Sequence, residues 1–154
     1  MTKLTSRKLE TSDYPFFMDV VSTSLEWQEE ECKVEDLTEY LSSYKMYNGE
    51  WRVWLDGNHL IGISYVLEWS PANEKPWIGT IIVHENFRGK GYGKAILNEI
   101  GMVLSDNGHK AIFAGCPIQR DSWLLFLGKC GFEQFKVEED DTTHKKFMIS
   151  VKPL

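Results

Sequence analysis

The chain has 154 residues, of which 42% are hydrophobic and 13% aromatic, a size and composition typical of a globular domain and not of a disordered segment. Its 17 Lys and Arg against 23 Asp and Glu give a formal net charge of −6, and cations concentrate only in one glycine-rich stretch. This balance disfavours nucleic acid as the main partner. We therefore predict a single domain over residues 1–154.

The first third of the chain predicts one strand followed by two helices. The strand covers Thr5 to Glu10, and Thr11-Ser12-Asp13 offers a helix cap. The apolar face of the first helix comprises Phe16, Phe17, Val20, Val21 and Leu25. An acidic run from Glu26 to Glu31 interrupts this pattern before a second helix begins near Val34 or Glu35. The second apolar face comprises Leu37, Tyr40, Leu41 and Tyr44, and Asn48-Gly49 ends that helix.

The middle of the chain predicts three strands. Trp51, Val53 and Leu55 alternate with Arg52, Trp54 and Asp56, and Gly57-Asn58 forms a tight turn into a long strand from His59 to Trp69. After a loop that ends at Pro76, Trp77 opens the third of these strands.

The C-terminal part predicts a strand, a short helix and two final strands. The strand covers Lys110 to Cys116, the helix Ser122 to Cys130, and an acidic loop from Glu138 to Asp141 separates the last two strands. The whole order predicts an α/β or α+β sheet covered by helices.

Export, disulfide and metal signals are weak in this sequence. No apolar stretch near Met1 is long enough for a signal peptide or a membrane span. Cys32, Cys116 and Cys130 are widely spaced without a Cys-x-x-Cys pair, so each is interpreted as a small buried apolar residue. These features predict a cytoplasmic protein without a bound metal.

The stretch from Ile78 to Leu97 is the most informative. A β-branched run leads through a polar turn into three alternate glycines and then an amphipathic pattern, which predicts strand, glycine turn and helix. The helix face comprises Ile96, Leu97, Ile100, Val103 and Leu104.

The physics of the glycine turn favours an anion. Gly89, Gly91 and Gly93 allow close approach of a ligand to the backbone, and the following helix presents unpaired N–H groups. The nearby cations are Arg88, Lys90 and Lys94. A phosphate or pyrophosphate site is predicted; the alternative is a turn whose glycines serve only packing.

Two common phosphate loops do not match this spacing. A P-loop would need glycine where Arg88 stands and a hydroxyl residue where Ala95 stands. The dinucleotide fingerprint would need its third glycine at Lys94.

The spacing that does match is Val83, four residues, Arg88, two residues, Gly91, one residue and Gly93. It resembles the acetyl-CoA pyrophosphate loop of the GNAT acetyltransferase superfamily, with Glu85 in place of the usual proline. A second stretch, Trp123 to Phe132, resembles the family's C-terminal helix and strand start.

The resemblance implies a fold and an activity. The implied fold is a central mixed, mostly antiparallel sheet of about seven strands flanked by about four helices. The implied enzyme is an acyltransferase that moves an acetyl group from acetyl-CoA directly to a primary amine of a small molecule or peptide, without a metal or a covalent intermediate. A non-catalytic acyl-CoA-binding or sensing module is the alternative, and an interaction domain that has lost the ligand is a second one. The resemblance also allows a homodimer.

The resemblance also assigns binding residues. Backbone groups of the strand before the loop would pair with the pantetheine arm and the thioester carbonyl, and the loop would hold the pyrophosphate. Carried over residue by residue, the cofactor-binding positions are Ile81, Ile82, Val83, Arg88, Gly89, Lys90, Gly91, Tyr92, Gly93 and Lys94.

Catalytic groups do not carry over. Leu127 stands where the family commonly has a proton-donating tyrosine, and Trp77 stands where some relatives have a glutamate. Three nearby residues are interpreted as ordinary polar residues: Glu68, Glu74 and His84. Cys116, at a strand end, is the only thiol with a plausible route to the site. No catalytic residue is predicted.

The acceptor side of the family is built from the first two helices and the loop between the last two strands. In this chain those regions carry Glu26, Glu29, Glu30 and Glu31, and then Glu138, Glu139, Asp140 and Asp141. One hypothesis is a cationic acceptor attracted by these acids; the alternative is that they form solvated acidic loops. Trp27 and Trp69 are candidates for an aromatic wall, and core packing is the alternative for both.

Overall fold

The structure is a computed structural model that describes residues 4–43 and 49–154. These residues form seven strands, listed here in chain order: β1 Leu4–Lys8, β2 Glu50–Asp56, β3 His59–Leu67, β4 Trp77–Val83, β5 Ala111–Pro117, β6 Glu133–Glu139 and β7 Lys146–Pro153. They also form five α-helices: α1 Tyr14–Ser22, α2 Leu25–Glu30, α3 Leu37–Ser43, α4 Tyr92–Asp106 and α5 Asp121–Lys129. Short 3₁₀ turns precede α1, α3 and α4.

The strands form one sheet in the order β1-β2-β3-β4-β5-β7-β6. Strand β4 pairs parallel to β5, whereas the β1–β2, β2–β3, β5–β7 and β6–β7 pairs are antiparallel. The predicted mixed, mostly antiparallel sheet of about seven strands is therefore confirmed.

The chain divides into two compact units. One comprises Met1–Val66 and Thr80–Ile96, and the other comprises Leu67–Gly79 and Leu97–Leu154. Strand β4 and helix α4 each contribute residues to both units.

The core of the first unit forms where α1 and α3 bury their apolar faces with the inward residues of the sheet. Its buried members are Phe17, Val20, Val21, Leu37, Val53, Ile63 and Ile82. The start of α1 is held by Asp13, a buried carboxylate that accepts two hydrogen bonds from the Arg7 guanidinium, at 2.7 and 2.8 Å, and one from the Glu10 N–H. A buried charge is tolerated here because every bond to it comes from a positioned donor.

The buried residues of the second unit come mainly from α4, β5, α5 and β7. They include Leu97, Ile100, Leu104, Ile112, Ala114, Cys116, Leu127, Cys130, Phe132 and Ile149. Cys116 and Cys130 are buried, as the sequence predicts, whereas Cys32 is only half-buried, and none of these three cysteines forms a disulfide.

Three sequence predictions need correction. The acidic run from Glu26 does not separate two helices but forms α2, because Leu, Glu, Trp and Gln are adequate helix formers and Trp27 supplies an inward anchor. Leu25 is 71% exposed, since α1 ends at Ser22 and Leu25 begins a new helix. Val103 is 58% exposed because it lies at the edge of the α4 face. The predicted positions Tyr44 and Asn48 fall outside the described residues.

Candidate active site

The glycine turn lies where the sequence predicts it, between β4 and α4. His84 follows β4 and caps the 3₁₀ turn Glu85–Phe87 by accepting the Asn86 N–H on its Nδ1 at 3.1 Å. The Nε2 of the same ring lies 2.7 Å from an Asp19 carboxylate oxygen. Because Nδ1 is the acceptor, Nε2 is the nitrogen that carries the proton toward Asp19. Both ring nitrogens of His84 are thus engaged in holding the turn.

Two glycines of the turn have backbone angles that other residues rarely adopt. Gly89 has φ +75° and Gly91 has φ +86°, both in the left-handed region. A Cβ on Gly89 would meet no atom within 4 Å, so backbone conformation and not crowding explains glycine there. The two residues turn the chain so that α4 begins at Tyr92.

The N-terminus of α4 supplies the donors that an anion needs. The bond from the Ala95 N–H to the Gly91 carbonyl, at 3.1 Å, is made at the helix start, and the N–H groups of the first turn before it have no intrahelical acceptor. With 15 residues, α4 also has a substantial dipole whose positive end faces the loop. Lys90 and Lys94 are exposed, and the Lys90 ammonium lies 5.8 Å from the Phe87 ring centroid. The loop therefore combines backbone donors, helix dipole and two exposed cations.

The Arg88 guanidinium is engaged by other parts of the protein. Its Nε donates to the Val83 carbonyl at 2.7 Å, and its Nη2 donates to the hydroxyls of Ser24 at 2.8 Å and Thr23 at 3.2 Å. Its Nη1 lies 3.4 Å from the Thr23 carbonyl. Arg88 thus ties the α1–α2 turn to the end of β4, a link across 65 residues that no local pattern indicates.

Tyr92 is also held by a partner in the first unit. Its hydroxyl donates a short hydrogen bond to Asp56 at the end of β2, and its ring meets Phe87 edge-on with centroids 5.9 Å apart. The hydrogen bond to Asp56 raises the pKa of Tyr92, so this phenol stays protonated near neutral pH.

The end of β4 presents backbone groups beyond its pairing with β5. Within the described residues the parallel ladder covers Trp77–Phe113 and Ile78–Ala114 and then ends, whereas β4 continues to Val83. The later residues Ile81, Ile82 and Val83 therefore have one edge outside that ladder. An extended ligand arm can use such an edge as an added strand would.

Three of the candidate acid and base positions are buried or hydrogen-bonded in the structure. Leu127 is 1% exposed, so the position of the usual tyrosine is filled by a core side chain. Cys116 is fully buried, with its thiol near the carbonyls of Pro117 at 3.3 Å and Arg120 at 3.8 Å. Glu68 is exposed and accepts from His109 at 2.9 Å and from Asn107 at 3.3 Å.

The predicted acidic loop from Glu138 to Asp141 begins later in the structure, because Glu138 and Glu139 belong to β6, and its acids have local partners. Glu138 pairs with Lys136 at 2.9 Å, and Glu139 lies 3.8 Å from His144. Asp140 accepts the backbone N–H groups of Thr142 and Thr143, which lower its pKa. Much of the negative charge of these acids is thus paired with neighbouring groups of β6 and of the loop that follows it, which favours the solvated alternative.

The acids of α2 lie beside an aromatic cluster. Trp27 contacts Phe17 and Tyr40, and its indole N–H donates to the Thr80 hydroxyl of β4 at 3.3 Å. The Tyr40 hydroxyl donates to Glu31 at 2.9 Å. Trp27 therefore packs against the core and also reaches β4, whereas Trp69 is 54% exposed.

Glu31 supports a pH prediction. The residue is exposed as a whole, but desolvation of the Glu31 carboxylate raises the pKa of this group above 4.5. The hydrogen bond from Tyr40 acts in the opposite direction and lowers the pKa. A raised folded-state pKa means that wild-type stability declines as pH rises through it. Glu31→Gln removes this titration, so the variant should gain a few tenths of a kcal/mol relative to wild type between pH 4 and pH 7. Urea unfolding at both pH values measures the gain, and a constant difference would contradict it.

Two features are absent from the part of the chain that the structure describes. No group of three or more His, Cys, Asp or Glu side chains there is arranged to hold a metal ion. None of the helices found there has the length and apolar character needed to cross a membrane.

Comparison with known proteins identifies the class of protein to which this fold belongs, which is the acetyltransferases. Residues 14–132 match the model of the Acetyltransferase (GNAT) family. The chain therefore belongs to the GNAT family.

Three individual proteins illustrate what this chain is similar to. The uncharacterized protein YkzC of Bacillus subtilis (strain 168) is 49% identical over 128 residues, which cover 83% of this chain and 89% of that protein. Spermidine N-acetyltransferase from Vibrio cholerae, solved in complex with CoA and spermine, superposes with a TM-score of 0.75 at 17% identity over 97% of this chain and 95% of its own. A putative GNAT acetyltransferase from Desulfovibrio desulfuricans gives a TM-score of 0.75 at 18% identity, over 98% of this chain and 99% of its own. At such identities the two structures show a shared fold.

Proposed function

We propose that this chain is an N-acetyltransferase that moves an acetyl group from acetyl-CoA directly to a primary amine. The observation that supports it most is the glycine turn, in which two left-handed glycines precede the open N-terminus of α4 beside Lys90 and Lys94. In this proposal the chain acts as one GNAT domain, since the family match extends over residues from both compact units.

The residues that we propose to hold acetyl-CoA lie in the glycine loop and at the end of β4. Donors in the Gly89–Lys94 segment bind the pyrophosphate, and Lys90 and Lys94 neutralise its charge. Backbone groups of Ile81, Ile82 and Val83 hold the pantetheine arm and polarise the acetyl carbonyl. Arg88 positions Val83 and the loop through its hydrogen bonds instead of touching phosphate.

Acetyl-CoA supplies a thioester whose carbonyl carbon an amine nitrogen attacks, so that a C–N bond forms as the C–S bond breaks. The chain's part is to hold the reactants and to provide donors for the developing oxyanion. With Leu127 in the core, we propose that water protonates the leaving thiolate and accepts the amine proton. This assigns catalysis mainly to positioning.

The proposed setting is the cytoplasm, with a small-molecule or peptide amine as partner and without nucleic acid, membrane or metal. A homodimer stays a prediction; β6 lies at the end of the strand order and exposes Phe135 and Val137. A cationic acceptor also stays a hypothesis, with α2 as the acidic surface that favours it.

The test of function is a thiol-release assay with acetyl-CoA and an amine panel that includes spermine, simple monoamines and amino acids. We expect at least one primary amine to release CoA above the rate of thioester hydrolysis. Preference for spermine over monoamines would support the cationic acceptor. Tight acetyl-CoA binding without release by any amine would support the non-catalytic sensing module instead.

A further inference from the structure

His84 connects the end of β4 to the 3₁₀ turn that precedes the glycine loop. Its Nδ1 accepts the Asn86 N–H at 3.1 Å. Because a backbone N–H always donates, this hydrogen bond exists only while Nδ1 carries no proton. The bond caps the turn Glu85–Phe87, and the turn leads directly into Arg88 and Gly89. The protonation state of one ring nitrogen therefore decides whether the turn keeps its cap.

The imidazole ring of His84 is anchored from α1. Its Nε2 lies 2.7 Å from an Asp19 carboxylate oxygen, and the Phe16 ring stacks on it with centroids 6.0 Å apart and 15° between planes. The His84 side chain is 12% exposed. The Asp19 carboxylate can compensate the charge of an imidazolium, so the ring can take up a second proton without leaving this place. When Nδ1–H and the Asn86 N–H then face each other, the turn is the part that has to move.

Asp19 is the charged group that contacts this ring. Further charged or titratable groups on the elements around the turn have other positions or contacts: Glu85, Arg88, Lys90, Tyr92 and His59. Glu85 is exposed, and the Arg88 guanidinium and the Tyr92 hydroxyl donate to oxygens elsewhere. The Lys90 ammonium lies 5.8 Å and the His59 ring 6.4 Å from the centroid of the Phe87 ring. His59 is therefore a second histidine near this turn, and its titration has to be separated by experiment.

The turn contacts the start of the helix whose N–H groups face the proposed pyrophosphate site. Phe87 is the last residue of the turn, and its ring meets the Tyr92 ring edge-on with centroids 5.9 Å apart. Tyr92 is the first residue of α4. A change in the turn therefore reaches the glycine loop along the chain through Arg88 and also through this ring contact. Resting on the proposed function, we propose that His84 is a positioning residue for acetyl-CoA: its neutral imidazole holds the loop for binding, and a proton on Nδ1 weakens binding.

The inference makes acetyl-CoA affinity depend on pH. Histidine is the residue type that ordinarily changes charge between about pH 5 and 8. Because the protonated form lacks one hydrogen bond, the Kd for acetyl-CoA should be about fivefold higher at pH 5.5 than at pH 7.5. Binding and protonation oppose each other reciprocally, so acetyl-CoA binding near pH 6 should release protons from the protein. Isothermal titration calorimetry in buffers with different ionisation enthalpies measures both the Kd and the number of protons released.

Two substitutions of His84 separate the cap from the titration. Asparagine provides a side-chain oxygen that accepts a backbone N–H at a cap position and does not titrate. His84→Asn should therefore bind acetyl-CoA more tightly than His84→Ala and lose the wild-type dependence on pH. His84→Ala has no acceptor and should bind about fivefold more weakly than wild type at pH 7.5, with little further loss at pH 5.5. The matched control is His59→Asn, at the exposed histidine beside Phe87, which should keep the wild-type dependence. Thermal unfolding confirms that each variant is folded.

Two further measurements make the result decisive. The 3′-phosphate of acetyl-CoA titrates in the same range, so the series is repeated with 3′-dephospho-CoA, which lacks that group. Nitrogen-15 NMR of the histidine rings shows directly whether His84 gains its proton between pH 7.5 and pH 5.5.

Each outcome bears on the inference. A pH-dependent Kd with both ligands in wild type and His59→Asn, but not in His84→Asn, supports it. The same pH dependence in His84→Asn as in wild type overturns it, as does its loss in His59→Asn or a His84 ring that stays neutral at pH 5.5. If acetyl-CoA binds and an amine releases CoA while the Kd does not change with pH, the proposed function stands and this inference alone fails. If acetyl-CoA does not bind at any pH, both fail together.

Discussion

Gly91→Trp is expected to weaken acetyl-CoA binding by at least about 100-fold, a loss of about 2.7 kcal/mol or more of binding free energy. Gly91 has φ +86°, a conformation that tryptophan adopts only with strain, and it directly precedes the first residue of α4. An indole at this position would occupy the space in front of the helix N–H groups that we assign to the pyrophosphate. Isothermal titration calorimetry of acetyl-CoA against wild type and variant measures the loss.

The chain offers a close control for this change. Gly108 follows the C-terminal end of the same helix, has φ +92°, and a Cβ there would meet no atom within 4 Å. Gly108→Trp therefore imposes a comparable backbone strain of about 1–2 kcal/mol without approaching the helix N-terminus. We expect it to lower thermal stability while keeping the acetyl-CoA Kd within about threefold of wild type. Similar affinity losses in both variants would contradict the assignment of the loop.

Arg88→Met is expected to lower the free energy of unfolding by about 2 kcal/mol and to weaken acetyl-CoA binding about tenfold. The guanidinium donates to the Val83 carbonyl and to the Ser24 and Thr23 hydroxyls, and methionine retains only part of its apolar stem. Affinity falls because the end of β4 and the glycine loop lose their link to the α1–α2 turn. Urea unfolding and calorimetry measure the two effects.

Lys90→Met distinguishes the positioning role of Arg88 from the attraction that a nearby charge exerts on acetyl-CoA. Lys90 is exposed and lies over the Phe87 ring, so its removal should leave stability nearly unchanged and weaken acetyl-CoA binding severalfold. That loss should shrink as salt rises from 50 to about 500 mM, because it comes from a screened charge. The loss in Arg88→Met should persist at high salt, since it comes from altered geometry. If the Arg88→Met loss disappeared with salt and its stability stayed at the wild-type value, Arg88 would be a phosphate ligand and not a positioning residue.

Because Leu127 supplies no hydroxyl, the wild-type rate of acetyl transfer does not depend on a tyrosine that protonates the leaving thiolate. Leu127 is 1% exposed in the core, so a hydroxyl introduced by Leu127→Tyr would first need space that the core does not offer. A CoA thiolate is a better leaving group than an alkoxide or an amide nitrogen, and protonation by solvent suffices for its release. The proposed mechanism therefore assigns the rate mainly to the preorganised β4 edge and the glycine loop.

The sequence by itself determined the strand, glycine turn and helix around Gly91, the family resemblance and most of the element order. These features depend on near neighbours: glycine φ angles, helix periodicity and strand alternation act over a few residues. The same local reasoning missed α2, because a short helix with a single inward tryptophan has too few apolar positions to show a period.

Only the tertiary structure decided what the side chains near the loop do. Arg88 lies only two residues before Lys90 in the sequence, yet its hydrogen bonds reach Thr23 and Ser24 in the turn between α1 and α2. Gly115 lies between Trp77 and Ile149 only because the strand order brings β4 and β7 to either side of β5. Such contacts depend on which distant segments meet in the sheet, and the spacing of residues along one segment does not encode that choice.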